Sequence, residues 1–86
     1  QMSLLNQGLF ALASYNAGPG RVAGLRGKAG QIGLDPNIWF DNVEILAERE
    51  IGHETVDYVS NIYKYYTVYR AVAGIRGRKP LPDAKQ

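Results

Sequence analysis

Apolar residues recur at intervals of three and four through most of this chain, the spacing that lines one face of an α-helix, and no segment alternates with the two-residue period of a half-buried strand. Leu5, Leu9, Leu12 and Ala13 mark such a face between about Ser3 and Tyr15, with Gly8 inside it permitting close packing. A second helix is predicted from Pro19, turning Val22, Leu25, Ala29 and Ile32 inward and ending near Gly33. Asp35-Pro36 reads as the next start, a capping carboxylate followed by proline at the first helical position, with Trp39, Phe40, Val43, Leu46 and Ala47 behind it. Gly52 interrupts the pattern. The longest helix is predicted from about His53 to Ala73, where Val56, Val59, Tyr63 and Tyr66, joined by Ile62 and Tyr69, form a buried stripe whose tyrosine hydroxyls reach solvent or a polar partner. The expected fold is all-α, with about four helices in residues 1–73 and a basic, proline-containing tail over 74–86.

Composition narrows the chemistry. The chain has 86 residues, no cysteine, one histidine and a net charge of +2. Without cysteine there is neither a disulfide framework nor a thiolate zinc site, and His53 has no second ligand at metal-binding spacing, so no metal or cofactor is expected. Glu44, Glu48 and Glu50 lie beside Arg49 in a charged helical stretch and read as a solvated face rather than a catalytic carboxylate pair. Arg76, Arg78, Lys79 and Lys85 collect around Pro80 and Pro82 in a tail expected to be flexible and solvated, a basic tract too short to carry nucleic-acid binding. No apolar run approaches the roughly 20 residues needed to span a bilayer, and the first residues lack the basic start of a secretion signal, so a membrane anchor is expected elsewhere in a longer parent. A chain of this size buries only about 60 to 65% of its unfolded surface, which makes a stabilising partner segment expected.

The most informative stretch is Tyr15-Asn16-Ala17-Gly18-Pro19-Gly20-Arg21-Val22. Gly18 can adopt the positive φ that stops one helix, and Pro19 suits the first turn of the next, which alone would explain the pattern as a cap and a tight turn. A phosphate cradle is disfavoured, because no strand precedes the glycines and Pro19 has no backbone donor. At such a helix end Tyr15 and Asn16 could project a hydroxyl and an amide toward a cleft.

Ser14-Tyr15-Asn16-Ala17-Gly18 resembles the Ala/Ser-Tyr-Asn-Ala-Gly motif of the lytic transglycosylase SLT domain, the lysozyme-like domain that cuts peptidoglycan. Glu54-Thr55-Val56-Asp57-Tyr58-Val59 resembles that family's last motif, Glu-Thr-x-x-Tyr-Val, which opens the closing helix. Gly33 to Glu44 is similar to the membrane-bound F-type branch, in which a substrate-binding-protein-like domain precedes the SLT domain. The Glu-Ser pair that carries the family's catalytic glutamate and the Gly-Leu-Met-Gln segment after it do not occur in this chain. The resemblance therefore implies an incomplete lysozyme-like domain, its C-terminal part, inactive alone, whose general acid/base and N-terminal half come from upstream polypeptide.

The resemblance further implies an outer-membrane-associated enzyme of the bacterial periplasm that cleaves the bond between N-acetylmuramic acid and N-acetylglucosamine and leaves a 1,6-anhydro sugar. Tyr15 would support catalysis by fixing the acid's geometry, and Asn16 with the Ala17-Gly18 backbone would bind sugar groups. The motif's glutamate and threonine border the cleft, so Glu54 could accept hydrogen bonds from sugar hydroxyls. A carboxylate there is also favoured by the helix dipole by about 0.3 to 1 kcal/mol. Relatives often continue Glu-Thr with arginine where this chain has Val56, so a polar contact made there is not expected. Tyr65 is the one tyrosine of the closing helix expected to face the cleft. Two readings of other classes are a noncatalytic peptidoglycan-binding module and a small basic helical nucleic-acid binder. If the glycan reading holds, Tyr15 and Glu54 should border a shared concavity.

Overall fold

The computed structural model describes residues 1–76 and is all-α. Its helices are α1 (Leu4–Ala17), α2 (Pro19–Gln31), α3 (Glu44–Glu50) and α4 (His53–Arg76), and the described residues contain no strand. The tail expected over 74–86 falls, from residue 77 onward, outside the described residues, and α4 runs three residues past the expected boundary at Ala73.

α1 begins where Ser3 accepts the backbone N–H of Asn6 at 3.1 Å, an N-cap that satisfies one of the helix's free donors. It ends at Gly18, whose N–H donates to Ser14 O at 2.8 Å while its φ of 103° turns the chain directly into Pro19 at the start of α2. α2 closes with Gly33 at φ 91° and the Leu34 N–H donating back to Ala29 O at 2.9 Å, the hydrogen-bond pattern that a glycine just past a helix end permits.

Leu9, Phe10 and Ala13 of α1, Val22, Leu25 and Ala29 of α2, Trp39, Val43, Leu46 and Ala47 of the third segment, and Val56 and Val59 of α4 form one core. Trp39 lies at its centre, fully buried, edge-on to Phe10 with ring centroids 5.7 Å apart. Its backbone N–H donates to Asn6 Oδ1 at 2.8 Å, tying the third segment to α1. Arg26 closes the same corner: its guanidinium lies over the Phe10 ring and donates to Pro36 O at 2.8 Å and Asn37 Oδ1 at 2.6 Å.

Several expectations are corrected. No helix starts at Asp35-Pro36. The Asp35 carboxylate accepts the Asn37 N–H at 2.8 Å in a local turn, and the chain then passes through Phe40 in extended conformation and Asp41 at φ 61° before α3 begins at Glu44. Asn42 holds that passage by accepting the Asp35 N–H and donating to Phe40 O. Leu5 and Ile32 are exposed rather than inward, and nothing packs within 4 Å of a Cβ at Gly8. The tyrosine stripe of α4 is not buried as a whole: Val56 and Val59 are buried and Tyr63 is half-buried, but Tyr66 and Tyr69 are exposed, because no described element lies alongside α4 beyond Tyr63. Glu50 is not merely solvated, since both its oxygens accept from Lys28 Nζ, at 2.8 and 3.0 Å.

Candidate functional site

The two motifs meet at one hydrogen bond. Thr55 Oγ1, in the first turn of α4, donates to Asn16 Oδ1, in the last turn of α1, at 2.7 Å across 39 residues of sequence. Thr55 is the buried polar residue of the core region, 5% exposed, so its hydroxyl has this amide in place of water. The bond turns the Asn16 side chain toward α4. It also fixes the junction of α1, Gly18 and α2 against the start of the closing helix.

Around that junction the expected site residues divide. Tyr15 is 85% exposed, its ring standing free beside the anchored Asn16. Ala17 and Gly18 are half-buried and continue the same edge. Glu54 is exposed in the first turn of α4, next to Thr55, and its carboxylate makes no hydrogen bond among the described residues. Thus the α1 end and the α4 start bring Tyr15, Asn16, Ala17, Gly18 and Glu54 to one neighbourhood. Tyr65 is set apart: it is exposed, eleven residues beyond Glu54 along α4, a rise of about 16 Å. His53 is the exposed first residue of α4, and no group of three or more potential metal ligands exists among the described residues.

Next to this junction in sequence lies an open concavity of about 390 Å³, lined by Arg21, Gly24, Leu25, Lys28, Glu50 and Ile51. Neither Tyr15 nor Glu54 lines it, so the expectation that these two residues border a shared concavity is not met by this one: they lie near the same helix junction, on exposed surface. Thr55, expected with Glu54 to border a cleft, is instead buried and makes the inter-motif contact while Glu54 faces out. Its signal was available. A threonine one residue before buried Val56 and four before buried Val59 lies on the inner face of its helix, where a hydroxyl needs a partner.

This is a helical unit whose two motif segments are joined by side-chain chemistry, and its sequence relatives are lytic murein transglycosylases. A membrane-bound lytic murein transglycosylase F of Marinobacter nauticus is 43% identical over 72 residues, covering 69% of this chain and 14% of that protein. The same-named protein of Shewanella woodyi is 41% identical over 70 residues, covering 66% of this chain and 15% of the relative. Membrane-bound lytic murein transglycosylase F 1 of Alkalilimnicola ehrlichii is 35% identical over 86 residues, covering 85% and 17%. Over this segment the chain is therefore a relative of lytic murein transglycosylases, and of their membrane-bound F type. It spans only 14 to 17% of the length of these relatives. No family model and no solved structure matches it.

Proposed function

We propose that this chain is the C-terminal part of a lysozyme-like lytic transglycosylase domain and forms one wall of a groove that binds peptidoglycan glycan strands. The observation that carries the reading is the Thr55–Asn16 hydrogen bond, which joins the Tyr-Asn-Ala-Gly and Glu-Thr-x-x-Tyr-Val segments and leaves Tyr15 free beside them. The general acid/base glutamate belongs to upstream polypeptide of the same domain. It protonates the glycosidic oxygen between N-acetylmuramic acid and N-acetylglucosamine, then as carboxylate assists attack by the muramic acid 6-hydroxyl on its own anomeric carbon. The glycosidic bond breaks, the 1,6-anhydro bond forms and the 6-hydroxyl proton passes to the carboxylate, so one carboxyl group serves where most glycosidases use two.

In this division of labour the chain's residues bind and orient. Tyr15 Oη hydrogen-bonds the catalytic carboxyl or an adjacent sugar group. Asn16, with its Oδ1 held by Thr55, keeps its amide N–H groups for an N-acetyl or hydroxyl oxygen, and the Ala17-Gly18 backbone lines the same edge. Glu54 accepts from sugar hydroxyls, and Tyr65 extends the contact along α4. The names of the relatives support a cell-envelope location, and we assign the parent to the bacterial periplasm, held at the outer membrane by an anchor outside this chain.

Tyr15→Phe in the full-length protein tests the reading. The hydroxyl of an exposed tyrosine adds nothing to the core, so the variant should keep its stability while release of anhydro-muropeptides from purified peptidoglycan falls about tenfold or more. Unchanged release would remove Tyr15 from the machinery. Retention on peptidoglycan by a full-length protein that releases no anhydro sugar would instead favour the noncatalytic binding module.

A further inference from the structure

The concavity along α2 has a lining unlike a sugar site. Its six residues supply no aromatic ring to stack on a pyranose, and the one carboxylate that could accept from sugar hydroxyls, that of Glu50, is already held by Lys28. They supply an apolar floor, Leu25 at 4% exposure with half-buried Ile51 beside it, and a bare stretch of helix at Gly24, where nothing lies within 4 Å of an added Cβ. Charge completes the picture. Lys28 is neutralised by Glu50, both carboxylate oxygens lying within 3.0 Å of its Nζ, whereas Arg21 has no side-chain hydrogen bond or ion pair among the described residues. Two cations and one anion leave the lining at +1, and the unspent charge is a guanidinium, the group whose planar fork matches a carboxylate.

We infer that this groove binds a short peptide carrying a carboxylate, which Arg21 holds while a small aliphatic side chain lies on Leu25 and Ile51. The inference rests on the proposed function, because the peptide in question is the stem peptide of peptidoglycan, whose alanyl and glutamyl residues offer this pairing of small apolar group and carboxylate. Two of the groove's lining residues lie near the proposed glycan junction in sequence: Arg21 is five residues beyond Asn16 and Ile51 four before Thr55.

NMR titration of the full-length protein, segmentally labelled over these 86 residues, tests this with two separate probes, the dipeptide N-acetyl-L-alanyl-D-glutamate and the disaccharide chitobiose. The dipeptide should shift the amides of Gly24, Leu25 and Ile51, and chitobiose should not. Arg21→Ala should weaken the dipeptide about tenfold, and Arg21→Lys should recover part of the loss, since it restores the charge without the fork. Arg21 is exposed, and an otherwise unchanged spectrum verifies that each variant is folded. A dipeptide that shifts no groove amide, or an Arg21→Ala variant that titrates like the parent chain, overturns the inference. Chitobiose shifts at Tyr15 and Asn16 report on the glycan reading alone. Their presence with a silent groove removes only the peptide site, and their absence with a responding groove removes only the glycan wall.

Discussion

The hydrogen bond between Thr55 and Asn16 is asymmetric in its surroundings, and that asymmetry predicts its energetics. The threonine hydroxyl is buried and the asparagine is exposed. Thr55→Val leaves an amide oxygen that water can reach, so it should cost only the net value of one hydrogen bond, about 0.5 to 1.5 kcal/mol. Asn16→Ala leaves a buried hydroxyl without an acceptor and should cost more, about 1 to 3 kcal/mol. The double variant should be less destabilised than the sum of the two, with a coupling of about 1 kcal/mol. Urea unfolding followed through the fluorescence of Trp39, the chain's one tryptophan and fully buried, measures all three. Additive losses would mean that the two side chains do not share the bond. At this scale the sequence marks both residues, each within a motif, but not that they pair. Asn16 was legible from the glycine that ends its helix, but its pairing with Thr55 is set by how α1 packs on α4 across 39 residues, which no local pattern encodes.

Glycines show most clearly how elements are specified. Gly18 serves at once as the end of α1 and the entry to α2, with φ 103° and ψ 135°, a region that residues with a Cβ avoid. Space does not constrain it, since nothing lies within 4 Å of an added Cβ. Gly18→Ala should therefore cost about 1 to 3 kcal/mol through backbone strain alone. Gly8 is equally unobstructed but sits inside α1, so Gly8→Ala should stabilise the chain by about 0.5 to 1 kcal/mol. Thermal unfolding of the pair by circular dichroism separates the two causes, and a shift of the same sign in both would contradict this account. Signals of this kind made the ends of α1 and α2 and the start of α4 readable from residue types. The third segment was not readable, because Asp35-Pro36 is as good a turn opener as a helix opener. What decides between them is Asp41 at positive φ and the Asn42 side chain bracing the loop, neither of which has a sequence signature strong enough to outweigh the cap.

Across the whole molecule, α4 carries two apolar faces. Thr55, Val56, Val59 and Tyr63 face the body, whereas Tyr65, Val68, Tyr69, Val72 and Ile75 follow at helical spacing on a second stripe, roughly 140° around the axis from Val59 at 100° per residue. Every described side chain from Lys64 to Ile75 is exposed. The sequence pattern joins Tyr69 of the second stripe to Val56 and Val59 in one long buried face, because the three- and four-residue spacing is the same throughout. Only the tertiary arrangement, a helix of 24 residues and about 36 Å packing on α1 and α3 by its first half, separates them. The separation makes a quantitative prediction. Val59→Ala removes buried methyl groups and should cost about 2 kcal/mol, while Val72→Lys, a far larger chemical change, should alter stability by less than about 0.5 kcal/mol. Equilibrium unfolding of both variants at two chain concentrations decides the matter. If Val72→Lys destabilises as much as Val59→Ala, the second stripe is covered in solution. A concentration dependence of that loss would then identify the cover as another copy of the chain, since only a bimolecular contact weakens on dilution.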